Sequence, residues 1–134
     1  MSVFTQAEID YLNGQMLGRL ATAGTDGKPH VVPVSFSYNP KLDTIDIGGH
    51  NFGARKKYRD VQRNGWAAIV VDDLVSKDPW TPRMIEIRGR AEALPEGGPA
   101  LGRGFDDEMI RIHPERIVAF GLAAGQQATA ARSV

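Results

Sequence analysis

Apolar and polar residues alternate along this chain with a period that changes several times, and each change marks an element. The first element is short. Thr5-Gln-Ala-Glu8 is a capping box, in which a Thr at the N-cap and a Glu three residues on satisfy free backbone N–H groups reciprocally. Ile9 and Leu12 give this helix an apolar side, and Gly14 is a fitting stop. The period then falls to two. Leu17–Ala23 reads as a strand, Thr25-Asp-Gly-Lys28 as a hairpin turn, and His30–Tyr38 as the returning strand. Asn39-Pro40 turns the chain again before a third strand, Thr44–Gly48. Pro33 has no N–H to give a ladder, so the second strand has an edge or a bulge there.

After the third strand the period changes to that of a helix. Ala54, Tyr58 and Val61 fall on one face, while Arg55, Lys56, Arg59 and Arg63 share another sector, with Lys57 beside the apolar face. Trp66–Asp72 and Met84–Ala93 are two further alternating runs. Pro95–Pro99 reads as a loop, 105–112 as a helical turn and Arg116–Phe120 as a last strand. The stretch from Ala123 is small and polar, so 123–134 reads as a flexible tail on a single domain spanning 1–134. The fold class is therefore mainly β, a barrel of about six antiparallel strands with peripheral helices.

Composition narrows the chemistry. The 134 residues suit one domain, and 16 Lys+Arg against 16 Asp+Glu leave no global attraction to nucleic acid. No apolar run is long enough to span a membrane, and the N-terminus lacks the basic-then-apolar order of a signal peptide, so the expected location is cytoplasmic. Without cysteine there is no disulfide, thiolate metal site or thiol nucleophile. His30, His50 and His113 are scattered with no companion carboxylate at ligand spacing, so no metal site is expected. Asp72, Asp73 and Glu86 read as surface charge, and Trp66 and Phe120 as core. Trp80, between Pro79 and Pro82 in a loop, suits a pocket or an interface.

Against this neutral background, five cations lie between Arg55 and Arg63, answered by Asp60 alone. A solvated helix face would account for them, but their position favours an anion site. The free N–H groups at a helix start attract negative charge, and Arg55 and Lys56 would be unfavourable there without an anion. Gly48, Gly49 and Gly53 would let backbone approach such a ligand, and His50 is placed to hydrogen-bond it or simply to cap the loop. No catalytic triad or general-acid pair can be assembled. Any enzymatic chemistry therefore belongs to a cofactor.

The segments LGRLATAGTDGKPHVVPVSF, DTIDIGGHNFGARKKYRDVQRNGWAAIVVDD, RMIEIRGRAEAL and RIHPERIVAFGL, in this order, resemble the pyridoxamine 5′-phosphate oxidase-like split β-barrel family with its FMN-binding-protein-like fold. More narrowly, they are similar to its short actinobacterial members that use the deazaflavin coenzyme F420. The resemblance runs from about Glu8 to Leu122. It implies a homodimer with the cofactor between two chains, its anionic tail on Arg55, Lys56, Lys57 and Arg59 and its ring along Pro33, Val34 and Ser35. His50 and Trp80 complete the expected cofactor contacts. In the FMN-dependent members an Arg and a Lys on the second strand clamp the flavin; the matching positions here are Val31 and Phe36. The Ser-Arg-Lys that follows in those enzymes is Ala54-Arg55-Lys56 here.

The resemblance thus implies an F420-dependent oxidoreductase that transfers a hydride to an electron-poor double bond such as an enone or quinone. Ser35, His50 or Tyr58 would activate the acceptor, with no catalytic residue assigned among them. The alternatives are an FMN-dependent oxidase or flavin reductase of the same fold, and a non-catalytic F420 or flavin carrier. A barrel binding single-stranded nucleic acid would need exposed aromatics among its cations, and the basic segment offers only Tyr58, which points inward.

Overall fold

The computed structural model describes residues 1–123 and 129–134. The strands are β1 (Leu17–Ala23), β2 (Pro29–Asn39), β3 (Thr44–Gly48), β4 (Trp66–Lys77), β5 (Trp80–Leu94), β6 (Met109–Phe120) and β7 (Ala130–Ser133), with helices α1 (Gln6–Gly14) and α2 (Lys56–Asn64). The sheet order is β3-β2-β1-β4-β5-β6-β7, every pair antiparallel, and β3 also pairs with β6. This second pairing of β3 closes β1 to β6 into a barrel. The first half of β6, Met109–Ile112, meets β3, and the second half, Arg116–Ala119, meets β7. The architecture is the mainly antiparallel split barrel that the sequence predicts.

Alternation along the strands builds the core. Leu20, Ile45, Ile47, Ile69, Val71, Ile85, Ile87, Ile110, Ile112 and Ile117 point inward and are fully buried. Helix α2 lays Tyr58 and Val61 over this core against β1 and β5, and α1 adds Tyr11 and Leu12 from the side of β2. The capping box of α1 is formed: the Glu8 N–H donates to Thr5 Oγ1 at 3.2 Å, and the Thr5 N–H donates to Glu8 Oε1 at 2.9 Å. All five residues of β3 are buried. Ile45 and Ile47 face the core, while Gly48 on the other face lies against Leu101 and Phe105 of the segment before β6.

Several elements differ from the sequence reading. The expected helical turn at 105–112 does not form, because Met109 already begins β6. A β-bulge explains the misreading. Arg88 pairs with Arg116 and Gly89 with Pro114, so Glu115 is the extra residue. Ile110 and Ile112 point inward before the bulge, and Ile117 and Ala119 after it, so the period-two phase breaks midway. The expected loop around Trp80 is instead a long β4–β5 hairpin in which Lys77 pairs with Trp80.

Trp66 is 55% exposed and not core: Ala67, Ile69 and Val71 take the inward phase of β4 and leave Trp66 on the outer face. Phe120 is half-buried for the same reason, opposite in phase to Ala119. Ala54 lies in a single 3₁₀ turn, Phe52–Ala54, and is exposed rather than on the packed face of α2. The expected tail also departs from the reading. Residues 124–128 lie outside the described residues, but Ala130–Ser133 is strand β7. There the Arg132 guanidinium donates to both carboxylate oxygens of buried Glu8, at 2.6 and 2.9 Å, and to the Val3 carbonyl at 2.7 Å.

Gly89 sits opposite the bulge, where a Cβ would come within 1.8 Å of the His113 carbonyl oxygen. Backbone cannot yield as a flexible side chain does, so Gly89→Ala is expected to cost about 2 kcal/mol or more, as overpacked sites do. Urea unfolding monitored by tryptophan fluorescence measures it; an unchanged midpoint would show that the bulge tolerates a side chain.

Candidate functional site

Strand β3 pairs with only the last part of β2, Phe36–Asn39, because it is five residues long. The first part of β2, through Ser35, is paired with β1 on one side and, among the described residues, has no strand on the other. Pro33 falls in this stretch, so its missing donor breaks no second ladder. A cleft of about 550 Å³ runs along this open edge, a size suited to a small-molecule ligand. Val32, Pro33, Val34 and Ser35 form one wall, and Gly48, Gly49 and His50 continue it beyond β3. The start of α2 supplies the opposite wall with Arg55, Lys56 and Lys57.

The three cations stand in different electrostatic settings. Arg55 is the N-cap of α2, makes no side-chain cap, is exposed, and has no carboxylate partner among the described residues. Lys56 is committed within the fold: its Nζ donates to both oxygens of Asp60, at 2.9 and 3.1 Å. Asp60 is buried and also accepts from Thr22 Oγ1 at 2.9 Å. Burial alone would raise the Asp60 carboxyl, but the hydrogen bonds from Lys56 and Thr22 outweigh it and hold the group below the usual carboxylate range. Lys57 lies over the Phe52 ring, 5.0 Å from its centroid. Burial, and then the nearby charge of Arg55, lower its pKa, and no carboxylate pairs with Lys57 among the described residues.

The loop opposite is fixed by its own bonds. The Phe52 N–H donates to Asp106 Oδ2 at 3.1 Å, and the Asp106 N–H donates to the Gly49 carbonyl at 3.0 Å. Phe105 stands edge-on to His50, with ring centroids 5.4 Å apart, and lines the cleft. The glycines serve the fold more than the sequence reading supposes. A Cβ on Gly48 would press on Phe105 at 3.0 Å, and one on Gly53 would meet the Glu108 carboxyl at 3.0 Å. These glycines make room for side chains of this loop.

Of the residues predicted from sequence, Pro33, Val34, Ser35, His50, Arg55, Lys56 and Lys57 come together in this cleft. Arg59 is exposed on the next turn of α2, outside the lining. Trp80 is 69% exposed at the start of β5 and takes no part in the cleft of its own chain. Tyr58 is not placed to activate a ligand: its ring is buried, its hydroxyl donates to the Leu94 carbonyl at 3.0 Å, and burial raises its pKa.

Sequence reasoning missed His30, Phe52 and Phe105. The alternation that puts Val34 inward also puts His30 on the helix-facing side of β2, which was a readable signal. Phe105 comes from a loop whose path no period reveals. Of the two apolar positions that the resemblance set against an FMN clamp, Val31 is exposed on the outer face and Phe36 lines a small neighbouring recess.

Comparison with known proteins agrees with the fold. A protein-family model described as pyridoxamine 5′-phosphate oxidase matches residues 4–124. A 5a,11a-dehydrotetracycline/5a,11a-dehydrooxytetracycline reductase of Streptomyces rimosus is 50% identical over 119 residues, covering 89% of this chain and 84% of its own length. Among solved structures, a heme-binding protein of Mycobacterium smegmatis superposes with a TM-score of 0.71 at 17% identity, over 98% of this chain and 59% of that one. A pyridoxamine 5′-phosphate oxidase-related, FMN-binding protein of Nostoc punctiforme gives 0.61 at 11% identity, over 94% and 92%. At such identities the two structures speak for the fold alone. The family model covers nearly the whole chain and the reductase shares half of the aligned residues, so this chain belongs to the pyridoxamine 5′-phosphate oxidase family of oxidoreductases.

Proposed function

We propose that this protein is a reductase that holds the deazaflavin coenzyme F420 in the cleft beside β2 and passes a hydride to an electron-poor carbon–carbon double bond or quinone. The observation that carries this reading is the pairing of an open strand edge with two cations at the start of α2, Arg55 and Lys57, that have no counterion among the described residues. A cleft with these walls suits a ligand with a flat polar ring and an anionic tail. Arg55 and Lys57 would hold the tail, with Arg59 reached by a longer one. Val32, Pro33, Val34 and Ser35 would line the ring. When bound, the deazaflavin supplies hydride chemistry without the oxygen reactivity of a flavin.

The chain's own residues bind, orient and exclude water. Phe52 and Phe105 are apolar walls that keep solvent from the ring, while Ser35 and His50 are the polar side chains placed to hydrogen-bond a carbonyl of the acceptor. Val31 and Phe36 leave an FMN clamp without its charges. The Streptomyces reductase supports the choice of acceptor, since its name places the reduced double bond between positions 5a and 11a of a polycyclic compound.

A second copy of the chain would complete the site. Leu17, Val31 and Trp66 are exposed on β1, β2 and β4, and Val31 stands on the strand with the open edge. Burying such apolar surface is the usual driving force for a homodimer. Trp80 is likewise free to reach another chain.

Three outcomes follow. Replacing both Arg55 and Lys57 with Ala should weaken F420 binding about tenfold or more, or roughly 1.4 kcal/mol, in a fluorescence titration. Added salt should weaken the wild-type complex too. Unchanged affinity in the double variant would return these cations to a solvated surface. In the second experiment, reduced F420 deuterated at C5 is mixed with the protein and an electron-poor alkene under nitrogen, and mass spectrometry should find one deuterium in the product. Stoichiometric FMN in the purified protein, with oxygen-dependent turnover, would favour the FMN-dependent alternative instead. Third, light scattering should give about twice the 14.6 kDa chain mass, and a clean monomer at micromolar concentration would remove the two-chain cleft.

A further inference from the structure

Among the described residues, one buried side-chain polar atom has no hydrogen-bond partner, and it is Nδ1 of His30. Buried polar groups are nearly always satisfied, so an exception calls for a reason. His30 lines the proposed cofactor cleft, on strand β2. Its cross-strand partner is Thr22, whose hydroxyl is bonded to Asp60. The imidazole is close enough to Asp60 to act on the carboxylate electrostatically. Asp60 is thus approached by Thr22 from β1, Lys56 from its own helix and His30 from β2.

We propose that His30 belongs to the anion site as an exchange partner of Lys56: when an anionic group of the ligand takes the Lys56 ammonium, a protonated His30 replaces it at Asp60. The inference rests on the reading of this cleft as an anion site. The physical reason is the cost of leaving Asp60 alone. Its carboxylate is buried and accepts from Lys56 and Thr22. An anion in the cleft competes for Lys56, which is still about half exposed and free to turn outward. Withdrawing the ammonium strands a buried charge with one hydroxyl, an arrangement that proteins avoid. His30 has the free nitrogen to fill the vacated place, and imidazole is the side chain that gains a proton most readily near neutral pH.

The other charged and titratable groups of this region form two sets, carboxylates near Gly24 and cations or imidazole in the cleft. Asp26, in the β1–β2 turn, lies near the same point as Asp60 and Lys56: a Cβ on Gly24 would be 3.3, 3.4 and 3.7 Å from Asp26 Oδ1, Asp60 Oδ1 and Lys56 Nζ. Asp26 and Asp60 are the carboxylates on this side of the cleft. Arg55 and Lys57, with His50, share the cleft. A bound anion offsets those cations and draws Lys56 away, and both effects favour the proton on His30. Ligand affinity is therefore linked to proton uptake, and anions bind more tightly as pH falls through the neutral range.

Sulfate is a suitable probe because it is a dianion that does not itself titrate near neutrality. Its binding to the full chain is measured by nuclear magnetic resonance between pH 6 and 8, with chloride at matched ionic strength as the reference. The His30 ring nitrogens, assigned by their loss in His30→Gln, report directly on protonation. The expected result is that sulfate at constant pH moves these nitrogens toward imidazolium values and that its affinity falls several-fold from pH 6 to 8. In His30→Gln sulfate still binds, with a flatter pH dependence, and Asp60→Asn flattens it in the same way. Saturable sulfate binding that leaves the His30 nitrogens unchanged would overturn this inference and keep the anion site. Absence of saturable sulfate binding at Arg55 to Lys57 would overturn both. The nitrogen signals are read in the unaltered protein, so the test survives a variant that fails to fold.

Discussion

The shortness of β3 is the constraint from which the rest of the molecule follows. Five residues are enough to bridge β2 and β6 and close the barrel, but they cover only the last part of β2. The closure is held in register by a buried ion pair across the β3–β6 ladder. Asp46, 1% exposed, lies opposite Arg111, whose guanidinium donates to its two oxygens at 3.0 Å each. Thr44 and Asn39 donate to the same carboxylate. Such a pair gives little net stability over an apolar replacement, because both charges lose their hydration. It does specify position: a one-residue slip of β3 would separate the charges and turn Ile45 and Ile47 out of the core. Register fixed in this way leaves the first part of β2 with an open edge, and the cleft lies along that edge.

Charge in the cleft is arranged by burial as much as by number. Of the three cations on the helix wall, Lys56 is neutralised inside the fold, while Arg55 and Lys57 are not. The N-terminal partial charge of α2 adds to the two that remain. An isolated helix would not favour this arrangement, and Asp60 offsets part of its cost from one turn further on. The sequence shows five cations and one acid; the structure shows that the acid is matched to a particular lysine. That distinction separates the cations held ready for a ligand from the one that first has to be released.

Much of this was legible in the sequence, and the reasons are local. The capping box at Thr5 and Glu8, the turn at Asp26-Gly27 and the alternation through β1, β2 and β3 depend on neighbours within a few residues, so they are written in order. The strand wall of the cleft was legible because Pro33 marks an edge, and the helix wall because cations cluster at a helix start. The misses are non-local or break phase. The bulge at Glu115 inverted the alternation of β6 and made its first half look irregular. Trp66 reads as core as a single residue, but Ala67, Ile69 and Val71 claim the inward phase. The pairing of β7 with β6 and the Arg132–Glu8 contact join the two ends of the chain, a relation no local period encodes. His30 was passed over for a related reason: its significance comes from Asp60, thirty residues away, and only the folded helix brings the two together.

The open edge also bears on why a second chain would belong in this fold. An unpaired strand edge with Val31 65% exposed beside it is a liability, since it offers unpaired backbone groups and apolar surface at one place. Pro33 reduces the hazard by withholding a donor, but leaves the apolar face of Leu17, Val31 and Trp66 uncovered. Extending β3 would remedy the edge and fill the cleft, abolishing the site. Covering the outer face with a copy of the same chain leaves the edge free for a ligand and raises a further wall beside it. The proposed dimer is thus the solution compatible with both demands, solubility and an accessible strand edge, and it needs no additional element from the chain itself.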